Sequence, residues 1–134
     1  MDDAAHGKSV VAPYGLLDVS HWQMKNKQQT MNPAQLERAA GLFTTLSETS
    51  RLLLLQALMR GPKTVSELIE ETGMKQGNVS KQLGILHTAR LVGRQRDGNF
   101  VYYSISEPMI FDLCHLVCET LREQVKRDVA ELAS

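Results

Sequence analysis

Residues 64–103 constrain this chain more than any other stretch. Thr64-Val65-Ser66-Glu67 has the spacing of a capping box, so a short helix starts there, runs to about Thr72 and ends at Gly73. A few residues later a second helix opens near Lys75 or Gln76. Its Val79, Leu83 and Leu86 share one face at the 3.6-residue period, and Gln76, Asn78, Ser80, Lys81 and Gln82 are expected on the opposite face. Two helices joined this tightly through a glycine-containing turn make a helix-turn-helix. Leu91–Arg96 and Asn99–Ile105 then flank Asp97-Gly98, the strongest short-range hairpin signal.

The side chains on this frame carry a chemistry. Amides, a hydroxyl and a cation crowded at the start of a helix suit base edges and phosphates in a DNA major groove. Asn78, Gln76 and Gln82 can bond adenine through both amide atoms, Lys81 suits guanine or phosphate, and Ser80 suits phosphate. Arg94 and Arg96 alternate along a strand, so they share a side from which a wing would reach phosphate or the minor groove. A polar helix face alone is equally the mark of a solvated surface, and two arginines alone equally solubilise an edge strand. The order helix-turn, polar helix, basic hairpin favours DNA. The expected fold is α+β, a mainly helical winged helix-turn-helix with four helices, a β-hairpin wing and a long C-terminal helix.

Charge distribution supports this where the total does not. The formal net charge is zero. From Met74 to Tyr103, however, there are five cations (Lys75, Lys81, Arg90, Arg94, Arg96) against the single anion Asp97. From Glu107 to Ser134 six acids face three bases. A local basic patch, rather than the sum over the chain, is the electrostatic footprint that a polyanion meets.

The remaining sequence frames that motif. Residues 1–31 show no clean period and are expected to form a partly disordered extension, with Leu16, Leu17, Val19 and Trp22 as a short helical segment. Lys25–Gln29 reads as a polar link, and His6 and His21 as isolated, solvated side chains. The folded domain, residues 32–134, opens on Asn32-Pro33-Ala34-Gln35, an N-cap, a first-turn proline and a glutamine placed to reach back. Leu36, Ala40 and Phe43 continue that helix. A second begins near Ser47 or Glu48, carries Leu52-Leu53-Leu54-Leu55 as the most enclosed helix, and stops at Gly61-Pro62. Ser106 is expected to cap a final helix of about 25 residues, with Ile110, Leu113, Val117, Leu121, Val125 and Leu132 along it. Such a stripe is wide enough for a partner subunit to cover.

Cys114 and Cys118, with no secretory signal upstream, point to a reducing cytoplasm rather than a disulfide-stapled fold. No apolar run approaches ~20 residues, so no membrane partner is expected. Nothing supports an enzyme: no nucleophile stands in a turn beside a histidine, and there is no glycine-rich phosphate loop.

In order and in residues, the chain resembles the ArsR–SmtB family of bacterial winged helix-turn-helix repressors from about Leu36 to Glu123. The resemblance is carried by Leu42–Leu52, by Val65-Ser66-Glu67-Leu68, by Gln76–Leu86 and by the wing from Leu91-Val92 to Val101-Tyr102-Tyr103. It implies a homodimer paired through the first and last helices and bound to double-stranded DNA at an imperfect palindromic operator. It also implies a repressor that a small effector, often a metal or metalloid, releases from DNA.

The family's effector sites are not matched. Thr64 and Ser66 stand where the arsenic-type site has its Cys-x-Cys. Glu107, Met109, Thr120 and Glu123 stand at the zinc-type positions, two carboxylates with no imidazole. The second helix lacks the cysteine of the sulfide-responsive members. Lys75 replaces the usual hydroxyl cap of the recognition helix, and Arg90 stands where glycine often follows it. What remains is Cys114 and Cys118, four apart and so on one helix face, a candidate sensor for a soft metal, a metalloid or a thiol-reactive species. Buried packing accounts for two such cysteines somewhat better. Asp112, His115 and Glu119 read as an exposed helix face, and no metal site is expected with assurance. The alternatives to an effector-released repressor are a winged helix that serves only protein interaction, and a DNA-binding regulator without thiol sensing.

Overall fold

The computed structural model describes residues 9–12, 15–18 and 30–133. The chain divides into two compact units, Met1–Ala39 and Ala40–Ser134.

In the first unit, β1 (Ser9–Ala12) and β2 (Gly15–Asp18) pair antiparallel, with Ala12 opposite Gly15 and Ser9 opposite Asp18. This corrects the expectation of a helix through Leu16 and Leu17. Adjacent β-branched Val10 and Val11, with Pro13 and Gly15 close by in sequence, favour a hairpin over a helical turn. Val19, Trp22, His6, His21 and the Lys25–Gln29 link lie outside the described residues. Helix α1 (Pro33–Leu46) starts in this unit as the sequence requires. The Asn32 amide donates to Gln35 Oε1 (3.0 Å) and the Gln35 amide to Asn32 Oδ1 (2.9 Å), so two orphan donors are satisfied reciprocally.

The second unit holds the end of α1, then α2 (Thr49–Leu58), α3 (Val65–Thr72), α4 (Gln76–Thr88), β3 (Val92–Asp97), β4 (Phe100–Ile105) and α5 (Met109–Ala133). Its core joins Leu46 of α1, Leu54, Leu55, Ala57 and Leu58 of α2, Leu68 of α3 and Val79, Leu83 and Leu86 of α4 to Leu91, Val92 and Ile110. Burying a leucine contributes about 1.5–3 kcal/mol, so this cluster is what holds the helix pair in place. The run of four leucines is enclosed on one side only. Leu54 and Leu55 are buried, whereas Leu52 and Leu53 are 44% and 37% exposed. At about 100° per residue, four consecutive positions circle the helix, so two of them must face away from the core.

Three local devices fix α3, α4 and the wing. Thr64 and Glu67 close their capping box (2.8 and 3.2 Å), and Gly73 at φ 74° turns the chain out of α3. Helix α4 ends in a Schellman motif: Leu91 N–H donates to Leu86 O and Arg90 N–H to His87 O, both at 3.0 Å, while Leu91 and Leu86 are buried. Arg90 thereby occupies the left-handed position at φ 64° that glycine favours. The hairpin is rooted by a backbone bridge between Lys63 and Tyr103 (3.0 and 2.8 Å).

The register pairs Asp97 with Phe100, so Gly98-Asn99 forms the turn, one residue beyond the Asp97-Gly98 expected. Gly98, at φ 64°, takes the first central position, where a type II′ hairpin turn requires glycine. The cap of α5 also differs from expectation. Met109 N–H donates to Glu107 Oε2 (3.3 Å), while Ser106 Oγ donates to Arg90 O (3.2 Å) and so ties the strand end to the turn after α4.

Candidate nucleic-acid interface

Helix α4 is the second helix of the helix-turn-helix, and the core decides its rotation. With Val79, Leu83 and Leu86 buried, Gln76, Gly77, Asn78, Ser80, Lys81, Gly84 and Thr88 are exposed. Nearest the outward pole are Gly77, Lys81, Gly84 and Thr88. Both glycines are unusual here, since glycine in a helix costs about 0.5–1 kcal/mol relative to alanine. A Cβ built at Gly77 or Gly84 would meet no atom within 4 Å among the described residues, so nothing in them requires a bare backbone at either position. Sequence reasoning missed the glycines because they carry no hydrogen-bonding side chain, and Thr88 because it lies at the far end of the helix from the polar cluster. The available signal was their spacing, seven and four residues apart on the side opposite the apolar stripe.

Gln82 is a correction. It was expected among the outward-facing residues, yet it is only 6% exposed. It follows Val79 by three and precedes Leu83 by one, which sets it about 70° from the centre of the apolar stripe and beside the core. There its Oε1 accepts from Arg51 Nη1 of α2 (2.9 Å), and its Nε2 donates to Asn78 Oδ1 (3.0 Å). Arg51 Nε in turn donates to Thr45 O (2.6 Å). Gln76, Asn78, Ser80 and Lys81 are all exposed, and Asn78 is also held from within the protein through its oxygen.

Lys75, the residue before α4, has extended backbone (φ −74°, ψ 149°), and among the described residues no side chain caps the helix. The first-turn amides thus carry the positive end of the helix dipole without a side-chain oxygen across them. On the wing, Arg94 pairs across the ladder with Tyr103 and Arg96 with Val101, so both arginines share the face that carries Val92. Both are exposed, and Arg96 Nε donates to Gly98 O (3.3 Å) at the turn. Phe100 and Tyr102 lie on the other face with ring centroids 6.5 Å apart.

The thiols are not equivalent. Cys114 is half-buried against the core, and burial pushes its thiol pKa up, whereas Cys118 one turn later is exposed. Among the described residues no three His, Cys, Asp or Glu side chains come together as a metal site. Glu119 pairs with Arg122 (3.1 Å) and Glu123 with Lys126 (3.7 Å). No helix among the described residues is long and apolar enough to cross a membrane.

Comparison with known proteins agrees with this geometry. The family pattern described as "Bacterial regulatory protein, arsR family" matches residues 48–93, from the N-cap of α2 into the wing. An uncharacterized HTH-type transcriptional regulator of Mycobacterium tuberculosis is 35% identical over 94 residues, covering 69% of this chain and 82% of the relative. The crystal structure of an antimony-specific transcriptional repressor matches with a TM-score of 0.66 at 31% identity, covering 74% of this chain and 92% of that one. The solution structure of a homodimeric winged helix-turn-helix DNA-binding domain from Mycobacterium bovis matches with a TM-score of 0.65 at 29% identity, covering 70% and 87%. The chain belongs to the ArsR family of bacterial regulatory proteins and is a DNA-binding transcriptional regulator of the winged helix-turn-helix fold.

Proposed function

We propose that this regulator acts as a homodimeric repressor that lays α4 in the major groove and the wing along the flanking backbone. The observation that carries this is the outward face of α4: Lys81 set between two glycines that the fold does not need, beside a hairpin bearing Arg94 and Arg96. A face without Cβ atoms admits the DNA close to the helix backbone, and Lys81 supplies charge at the point of approach. Gln76, Asn78 and Ser80 supply hydrogen bonds to base edges and phosphate, and the uncapped first turn of α4 offers backbone donors.

The α5 helix supports the dimer. Past Ile110, Leu113 and Cys114 the helix leaves the core, and Leu116, Val117, Leu121, Val125, Val129 and Leu132 are all exposed, as is Phe43 on α1. A contiguous apolar stripe of this length in water marks an association surface. A two-fold pair of recognition helices reads half-sites about 34–36 Å apart, the spacing of an imperfect palindrome. The Mycobacterium bovis domain is homodimeric in solution, which supports this arrangement.

An effector would release DNA by favouring a different pose of the two α4 helices, transmitted through α5. The antimony-specific repressor supports a soft metalloid as one class of input. Of the two thiols here, the exposed Cys118 is the point of entry. Burial of Cys114 raises its pKa and so disfavours the thiolate, the form that binds a soft metalloid.

Anisotropy of a labelled duplex tests the DNA interface. Affinity should fall steeply between low and moderate salt. Lys81→Ala should weaken binding to all sequences alike and reduce the magnitude of the log–log salt slope by about one. Binding that ignores both salt and Lys81 would instead support a protein-interaction module.

A further inference from the structure

We infer that Arg51 and Gln82 are positioning residues that fix the amide of Asn78 with its NH2 group outward, making Asn78 a donor that selects guanine over adenine at one position of each half-site. The inference rests on the reading that α4 faces DNA.

The polarity is forced from one end. A guanidinium has donors only, so Arg51 Nη1 must meet the oxygen of Gln82, at 2.9 Å. That leaves Gln82 Nε2, a donor, toward Asn78, which must answer with its oxygen, at 3.0 Å. Arg51 cannot swing away freely, because its Nε is anchored on Thr45 O (2.6 Å) and its backbone amide on the carboxylate of Glu48, the N-cap of α2. Gln82 is buried beside the core and cannot turn its amide without setting its NH2 against a guanidinium. Asn78 itself is exposed, and its Nδ2 has no partner among the described residues.

Reversing Asn78 would place its NH2 against the NH2 of Gln82, donor against donor. The group pointed at the groove is thus the NH2. Guanine presents two acceptors there, N7 and O6, whereas adenine presents N7 beside the donor N6. The relay therefore favours guanine, and its source lies in α2, a helix that does not enter the groove.

Full-length protein would be used to select duplexes from a randomised DNA library, and the half-site position whose preference disappears in Asn78→Ala would be identified. The expected base there is guanine, favoured about tenfold over adenine, with 7-deazaguanine binding more weakly. Gln82→Glu keeps a partner for Arg51 but offers only acceptors, so Asn78 should turn its NH2 inward and its oxygen outward. Preference at that one position should then move to a base with an exocyclic amine, adenine or cytosine. In the Asn78→Ala background the same change should do nothing there. Gln82→Met, similar in volume and apolar, should make guanine and adenine nearly equal, and it serves where Gln82→Glu does not fold by circular dichroism. Adenine preferred by the native chain, or a preference unmoved in a folded Gln82 variant, overturns the relay while leaving DNA binding intact. Absence of any salt-dependent duplex binding by the native chain overturns the DNA reading and the relay with it.

Discussion

A bare α-carbon at Gly84 tells more about α4 than its polar neighbours do. Polar side chains on an outward helix face need no explanation beyond solvation, but a glycine there weakens the helix, and among the described residues nothing crowds the place of its missing Cβ. Gly84→Ala should therefore raise folding stability by about 0.5–1 kcal/mol in urea denaturation and at the same time weaken duplex binding. An alanine variant that gains stability and binds DNA as well as the native chain would remove close approach from the account. The two thiols differ at the same scale. Burial raises the pKa of Cys114, so its thiolate form is populated only at higher pH than an ordinary cysteine, while Cys118 is open to solvent. Alkylation followed by mass spectrometry should label the exposed Cys118 first, with the labelling of Cys114 displaced to higher pH than that of an ordinary thiol. The sign for stability is the same: the folded form retains the Cys114 proton where the unfolded chain has lost it, so this contribution is complete at neutral pH and declines in alkali.

The element boundaries show what local sequence can and cannot determine. Both capping boxes, at Asn32 and Thr64, and the α4 stripe of Val79, Leu83 and Leu86 were legible because each is written within one or two helical turns. The turn shifted by one residue, to Gly98-Asn99, because strand register is settled by the Lys63–Tyr103 bridge and the buried Val92 as well as by turn chemistry. Gln82 was misplaced for a related reason. Its partner Arg51 is 31 residues away, and no local pattern reveals a buried amide satisfied across two helices. The Leu16–Leu17 helix failed because four residues of apolar spacing cannot outweigh strand pairing with Val10 and Val11. At the end of α4, Arg90 was recognised as standing in a glycine position, and its φ of 64° shows why glycine suits it. Arg90→Gly should raise stability by up to about 1 kcal/mol, read as an increase in the urea midpoint, since relief of the left-handed strain outweighs the added freedom of the unfolded chain. A lowered midpoint would mean that the arginine side chain contributes more than its backbone costs.

For the whole molecule, the proposed grip on a palindrome needs two copies of a chain whose last helix keeps its apolar stripe away from its own core. Leu121→Glu puts a charge in the middle of that stripe. The variant should run as a monomer by light scattering, remain folded, and lose most of its affinity for a palindromic duplex while still contacting a half-site weakly. An unchanged dimer would move the association surface elsewhere. The claim beneath all of this is that α4 and the wing present one surface to duplex DNA. Backbone amide shifts measured by NMR on adding a selected duplex test it most directly. The largest changes are expected at Gln76–Lys81, Gly84 and Arg94–Arg96. Changes concentrated on α2 or α3, with Lys81 and Gly84 unmoved at saturation, would contradict it.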